Sequence, residues 1–285
     1  MKGIVNLYKP KGWTSRDAVN KVRNILHVKE VGHMGTLDPQ GEGVLPIGIG
    51  KGTRLFDALL KKDKVYEAEF AFGYETPTLD GDSEPSRFTK TIPSQSEIES
   101  KLDEFVGVIR QVPPLYSAKN VNGARAYDLA RKGVDFTLEA AEVEVYSFEL
   151  IKRTAENTYL MRIHCSAGTY IRSLCRDLAY SLDSLATMVS IKRVRAGCFR
   201  IEESVTVEEL QSKGATCVIP LKVALADFPR FDLPDTEYDR LMHGVKLPVG
   251  EVPETPFTVY CRGELFGLGE KDELGRLKIK TYLRD

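Results

Sequence analysis

Gly32-His33-Met34-Gly35-Thr36-Leu37-Asp38-Pro39-Gln40-Gly41-Glu42-Gly43-Val44-Leu45-Pro46 follows neither a helical nor a strand period. The wider segment, residues 31–52, is so rich in Gly and Pro that an irregular loop is expected throughout. Glycine lets a backbone pass close to its neighbour, and Pro39 pushes Asp38 out of the helical region. The product is a carboxylate on a stiff loop, the kind of place where functional residues concentrate. An Asp that only hydrogen-bonds its own turn fits the same residues. His33 likewise reads either as a structural or as a working histidine.

Upstream of this loop, residues 4–8 form a short strand stopped by Lys9-Pro10-Lys11-Gly12. Thr14 or Ser15 then caps a helix with Ala18, Val19, Val22, Ile25 and Leu26 on one face. Downstream, residues 53–60 predict a short helix and residues 65–72 an alternating strand. Ser94-x-x-Glu97 opens another helix with a capping box. Residues 113–133 start polar and become a basic helix over 124–132, closed by Gly133. Strands are expected at 137–151, 158–165 and 190–199. After Gly168, Thr169 caps a helix whose buried stripe is Ile171, Leu174, Cys175, Leu178 and Leu182. From about residue 230 short strands alternate with Gly and charged turns, the signature of a small all-β module.

The 285 residues carry 40 Lys+Arg against 41 Asp+Glu, but the charge is segregated. Residues 1–64 hold 12 basic and 6 acidic side chains, 110–133 hold 5 and 1, and 161–200 hold 7 and 2. Brought together, these stretches make a basic face for a polyanion. Left apart, they are solvated helix faces. A composition 42% hydrophobic and 28% charged is that of a globular chain, and no window reaches the roughly 18 apolar residues of a membrane span. The N-terminal apolar run is too short for a signal peptide. Five cysteines without a C-x-x-C pair argue against a disulfide framework or zinc knuckle and fit a reducing cytoplasm.

Phosphate-loop patterns fail: Gly50-Lys51 is followed by Gly52, and Gly48-x-Gly50-x-Gly52 has the wrong spacing for a dinucleotide fingerprint. No clustered His/Cys pattern suggests a metal. Arg172 is an anomaly. With Thr169 as N-cap it takes the third helical position, where a cation opposes the helix dipole unless an anion faces it. In residues 117–133, Arg125 and Lys132 are placed two turns apart on one helix face, as phosphate contacts would be, or as a solvated amphipathic helix would have them.

Taken in order, these segments resemble the TruB family of pseudouridine synthases. The likeness is carried by Leu7-Tyr8-Lys9-Pro10-Lys11-Gly12-Trp13-Thr14-Ser15, the G-H-x-G-T-L-D-P loop around Asp38, and Lys64-Val65-Tyr66. It continues through residues 117–133, Gly168-Thr169-Tyr170-Ile171-Arg172 and Ile191-Lys192-Arg193, and so spans most of residues 1–200. The resemblance implies an α/β (α+β) catalytic domain over residues 1–229, with a mixed, largely antiparallel sheet flanked by helices. It also implies a thumb loop at about 113–133 and a PUA-like RNA-binding barrel over 230–285. Family members convert the T-arm uridine at tRNA position 55 to pseudouridine, without cofactor or metal. By likeness Asp38 is the nucleophile, Tyr66 the stacking residue and candidate proton acceptor, and Arg172 the partner of the nucleophile. His33, Tyr170 and Ile191 line the substrate pocket, with His33 filling the gap left by extruded bases. Lys119, Arg125, Lys132 and Arg193 are RNA-binding candidates. Ile191 stands where the family often has Leu, and Thr76-Pro77-Thr78-Leu79-Asp80 departs from the usual T-D-T-x-D turn.

The expected reaction breaks one glycosidic bond and makes another, so it needs an ionised carboxylate, which a neighbouring arginine favours. A stand-alone, guide-RNA-independent monomer acting on tRNA, with no obligatory protein partner, is expected. The rival enzyme is an N-glycosyl hydrolase, which usually pairs two carboxylates, and only Glu42 is close in sequence to Asp38. The rival of another class is a noncatalytic RNA-binding or tRNA-folding chaperone on the same scaffold.

Overall fold

The structure is a computed structural model describing residues 1–60, 62–117, 119–121 and 123–284, with the side chain of Leu60 also left aside. The first half of the chain forms β1 (Gly3–Lys9), α1 (Ser15–Leu26), β2 (Val31–His33), β3 (Gly41–Ile49), α2 (Phe56–Leu60), β4 (Lys64–Phe72), β5 (Tyr74–Glu75), β6 (Arg87–Phe88) and α3 (Gln95–Leu102). Next come β7 (Gly107–Gln111), β8 (Asn120–Val121), β9 (Ala124–Arg125), α4 (Ala126–Arg131), β10 (Ala141–Ala155), β11 (Thr158–Cys165), α5 (Ile171–Ser181) and β12 (Ala186–Ala196). The remainder is β13 (Phe199–Arg200), α6 (Val207–Lys213), α7 (Leu221–Ala224), β14 (Arg230–Leu233), α8 (Tyr238–Met242), β15 (Leu247–Pro248), β16 (Phe257–Cys261), β17 (Glu264–Lys271) and β18 (Arg276–Tyr282).

Nine strands make one sheet in the order β1-β3-β12-β4-β11-β10-β7, with β2 on β3 and β13 on β12. The pairing of β3 with β12 is parallel and spans three residue pairs, Ile191↔Gly41, Lys192↔Glu42 and Arg193↔Gly43. Its other pairings are antiparallel. The alternation in β4 sets the register: Tyr66, Ala68, Phe70 and Phe72 are buried, while Glu67 and Glu69 point the other way. Against β11 this row meets Ile163, Met161 and Tyr159, and α3 and α5 cover it with Ile98, Leu102, Leu174 and Leu178. Each such fully buried side chain stabilises the fold by about 1.5–3 kcal/mol.

On the other arm of the sheet, α1 lays Ala18, Val19, Val22 and Leu26 over β1 and β3, joined by Val207 and Leu210 of α6. Thr14 and Asp17 form a reciprocal capping box at the start of α1. The mixed, largely antiparallel sheet flanked by helices is therefore the architecture expected from the sequence. A second, curled five-stranded sheet, β14-β16-β17-β18-β15, encloses its own core of Leu233, Leu241, Phe257, Val259, Phe266 and Leu277, consistent with a PUA-like module. It packs on the first through Leu268 and Leu283 against Ile4, Val44 and Leu55.

Residues 31–52 are not one irregular loop. They contain β2 and β3, with Pro46 inside a strand. Pro46 lacks a ladder donor, yet its carbonyl still takes the Met34 N–H at 2.8 Å. The glycines serve close approach. Gly43 has φ +100, and a Cβ there would sit 2.4 Å from the Arg193 carbonyl oxygen of β12. The predicted helix over 124–132 is also shorter than expected, since β8 and β9 form a small hairpin and α4 has six residues. Ala118 and Asn122 of that stretch lie outside the described residues.

Candidate active site

The irregular part of the opening stretch is the short turn between β2 and β3, and its backbone is held at every residue from Gly35 to Pro39. Arg193 donates to Gly35 O and Thr36 O, both at 3.2 Å, and to Val44 O at 2.7 Å. Ser15 of α1 exchanges two hydrogen bonds with Leu37, 3.0 Å to its carbonyl and 2.9 Å from its N–H. The Asp38 carbonyl accepts from Gly41 N at 2.9 Å. Pro39 O accepts from Gly12 N at 2.8 Å and from Lys9 Nζ at 3.3 Å. Lys9 also donates to Pro10 O and Trp13 O.

Arg193 (1% exposed) and Lys9 (0%) are the largest of the fully buried side chains, and both support this loop. A buried cation is tolerated where carbonyls surround it. Burial pulls the Lys9 ammonium down to a pKa of about 8, with the Asp38 carboxylate opposing and Arg193 reinforcing the fall. Lys64, buried beside Arg193, is likewise pulled down to about 8. Sequence reading missed Lys9 and Ser15. The former looks like the end of a strand and the latter like an alternative cap, and neither carries a signal of contact with residues 22 to 30 positions away.

On this scaffold the Asp38 side chain, 40% exposed, reaches into the open. Its Oδ2 lies 2.9 Å from Arg172 Nη2. Arg172 is 7% exposed, and its Nη1 meets Asp80 Oδ2 at 3.1 Å and Thr78 O at 3.0 Å. The departing turn 76–80 thus has a definite position. Thr76 Oγ1 bonds Asp80 O at 2.7 Å, Thr78 Oγ1 bonds Asp80 Oδ1 at 2.6 Å, and the turn carries Asp80 behind the arginine. One guanidinium therefore bridges two carboxylates, one buried and one facing solvent.

The helix bearing Arg172 starts one residue later than the sequence suggests. Tyr170 is the N-cap of α5 and Arg172 its second residue. Thr169 instead donates its hydroxyl to Ser166 O at 3.0 Å, closing a turn. The free Tyr170 N–H is taken by Gln111 Oε1 at 2.8 Å, while Gln111 Nε2 returns a bond to Tyr170 O at 3.1 Å.

These groups open onto a cleft of about 740 Å³ lined by Asp38, Tyr66, Asp80, Tyr170, Arg172 and Ile191, among others. Tyr66 lies in register with Arg193 and Ile163. Burial pushes its phenol upward, and Arg193 opposes the rise. All three basic stretches reach this cleft: Lys64 from the first, Arg125 and Arg131 from the second, Arg172 and Arg193 from the third.

Four expected residues differ in place or use. His33 is drawn into the β2–β3 ladder opposite Ile47 and does not line the cleft, and its Nδ1 lacks a partner among the described residues. Burial lowers its pKa, and nearby Arg193 adds to the fall. Lys119 lines a smaller cavity with Gln111, Glu142 and Tyr170. Lys132 lies just past the end of α4, outside the lining, whereas Arg131 faces in. Arg193 is a loop anchor rather than an exposed phosphate contact, because it is buried against backbone carbonyls.

Such a site offers an open carboxylate held by a guanidinium beside an aromatic wall, with room for a nucleotide-sized group. Among the described residues no cluster of His, Cys, Asp and Glu fits a metal ion. The family model described as TruB family pseudouridylate synthase (N terminal domain) matches residues 23–171. The tRNA pseudouridine synthase B of Clostridium perfringens (strain 13 / Type A) is 38% identical over 292 residues, covering 99% of each chain. That of Solibacter usitatus is 36% identical, covering 95% of this chain and 96% of its own. Among solved structures, a Cbf5-Nop10-Gar1 complex aligns with a TM-score of 0.73 at 27% identity, over 94% of this chain and 78% of that one. The chain belongs to the TruB family of pseudouridylate synthases.

Proposed function

We propose that this protein isomerises the T-arm uridine at tRNA position 55 to pseudouridine, with Asp38 as nucleophile. The observation that carries the reading is the 2.9 Å pairing of Asp38 with Arg172 at the wall of a cleft that also holds Tyr66. The target uridine leaves its stack, at a cost of a few kcal/mol, and is received by Tyr66 and the cationic wall. The N1–C1′ bond breaks, the uracil turns, and C5 bonds to C1′. C5 gives up its proton, N1 gains one, and nothing is oxidised or reduced. Arg172 holds the Asp38 carboxylate in place and balances its charge as the arriving base displaces water. Tyr66 is the stacking surface and the candidate acceptor of the C5 proton, with Arg193 partly offsetting the burial that raises its phenol. Tyr170 and Ile191 form the remaining wall.

In this reading residues 1–229 are the catalytic unit with residues 113–133 as thumb, and residues 230–285 grip RNA. The enzyme works in the cytoplasm as a monomer without guide RNA or cofactor. Among the described residues no helix is long and apolar enough to cross a membrane. The test is incubation of the purified protein, without additives, with an unmodified tRNA transcript, followed by chemical labelling and reverse transcription. A single stop one nucleotide 3′ of position 55 is expected. Release of free uracil, or an RNA that binds and stays unmodified, would overturn the assignment.

A further inference from the structure

Ser117 is 4% exposed, lines the cleft, and its Oγ has no hydrogen-bond partner among the described residues. Leaving a buried hydroxyl unpaired is costly, so such groups in native proteins ask for an explanation. Here the residue is held firmly in place. Its carbonyl accepts Tyr127 N–H at 2.9 Å, and Ala126 N–H goes to Lys119 O at 2.8 Å, which ties the thumb root to the start of α4. The Tyr127 ring meets Tyr116 edge-on with centroids 6.4 Å apart and carries the Arg131 guanidinium 4.5 Å above its face. Tyr116, Arg125, Tyr127 and Arg131 all line the same cleft as Ser117.

Charge separates these residues from the other arginines of the cleft. Arg172 is committed to Asp38 and Asp80, and Arg193 to three carbonyls. Arg125 and Arg131 face no carboxylate within ion-pair distance among the described residues, and the nearest acid in sequence, Asp128, is exposed and outside the lining. A uracil ring and a ribose are neutral, so two unneutralised guanidiniums and a waiting hydroxyl match the charged part of a nucleotide.

We infer that Ser117, Arg125 and Arg131 form a phosphodiester subsite that grips a backbone phosphate adjoining the nucleotide in the cleft. This rests on the RNA isomerase reading and specifies how the thumb holds the substrate. Ser117 Oγ donates one hydrogen bond from a fixed position and sets the register. The two arginines supply most of the affinity, since phosphate contacts fix position and base contacts select.

The test uses full-length protein carrying Asp38→Asn, a T-arm hairpin RNA, and two copies of that RNA with a neutral methylphosphonate just 5′ or just 3′ of the target uridine. With the thumb intact, one of the two neutral linkages should weaken binding about tenfold. Adding Arg125→Gln and Arg131→Gln should weaken binding to the normal hairpin by about tenfold or more and lower the salt slope by about one, the share of a single phosphate. It should also abolish sensitivity to that linkage. Ser117→Ala should cost about fivefold in binding and reduce the same sensitivity, while the melting temperature of the free protein holds or rises because an unpaired buried hydroxyl is removed. An unaltered salt slope, or an equal methylphosphonate penalty with and without the arginines, overturns the subsite. Pseudouridine formation by the unaltered enzyme on the same hairpin is scored separately. Its absence with the coupling intact removes the isomerase reading alone, and turnover without coupling removes the subsite alone.

Discussion

Arg172 stands 3.1 Å from Asp80 on one side of its guanidinium, with Asp38 at 2.9 Å on the other. Asp80 is 10% exposed at its side chain and Asp38 is 40%, so the inner carboxylate anchors the arginine and the outer one is presented. An arginine anchored in this way supports the outer carboxylate in a fixed geometry. That relationship leads directly to two expectations.

Asp38→Asn removes the proposed nucleophile and keeps its shape. No pseudouridine should form, while tRNA affinity by filter binding stays within roughly threefold of the parent, the pattern of a group needed only for turnover. Measurable product from this variant counts against Asp38.

Asp80→Asn leaves Arg172 with Asp38 and the Thr78 carbonyl but loosens its aim. Single-turnover rates should fall roughly 10–100-fold, the penalty typical of an ångström-scale misplacement. KM for tRNA should change far less than the rate. A variant with the parent rate would show that the inner carboxylate has no part in positioning.

Arg193→Gln withdraws donors from the Gly35, Thr36 and Val44 carbonyls inside the fold. Each buried acceptor left unpaired costs about 1–3 kcal/mol, so a loss of about 3 kcal/mol or more is expected from urea denaturation. Arg193→Lys should not restore it, because an ammonium lacks the planar fork that spans the three acceptors.

The pH response of Lys64 has a definite sign. Burial lowers its pKa to about 8, while in the unfolded chain it stays near 10.4. Between these values the unfolded chain holds a proton that the folded chain has released, so this group makes the fold more stable as pH rises. Against Lys64→Met, the wild type should gain stability by about 1 kcal/mol per unit from about pH 8 to about pH 10. Parallel pH curves for the two proteins would contradict the assignment.

Much of this organisation is legible in the sequence where the cause is local. Thr14 with Asp17, Ser94 with Glu97 and the alternation in β4 each act within a few residues, and each element forms where its pattern points. A cation placed at a helix start points to an anion beside Arg172 or to an arginine turned into water, and the family likeness alone names Asp38 as its partner. What escapes is non-local. Gln111 takes the Tyr170 N–H from 59 residues away, so the helix begins one residue later than Thr169 suggests. Arg193 looks like a surface cation until the register sets it against Gly43 and the turn beyond. The close approach that the glycines of residues 31–52 permit is legible, but that it happens inside a strand is not: a Cβ on Gly43 of β3 would meet the Arg193 carbonyl of β12. His33, a pocket residue by likeness, pairs in the β2–β3 ladder, and the helical spacing read for Arg125 and Lys132 fails because α4 spans only Ala126–Arg131.

The parallel contact between β3 and β12 is three residue pairs long, and Arg193, beside Tyr66, comes from within it. The two arms of the sheet each have their own helical cover and apolar core, so they meet at the place where the reactive groups are assembled. A slight parting at that junction would scatter the acid, its guanidinium and the aromatic wall while leaving nearly every helix and strand intact. Catalysis in the proposed reading thus depends on a joint that supplies only three of the sheet's residue pairings.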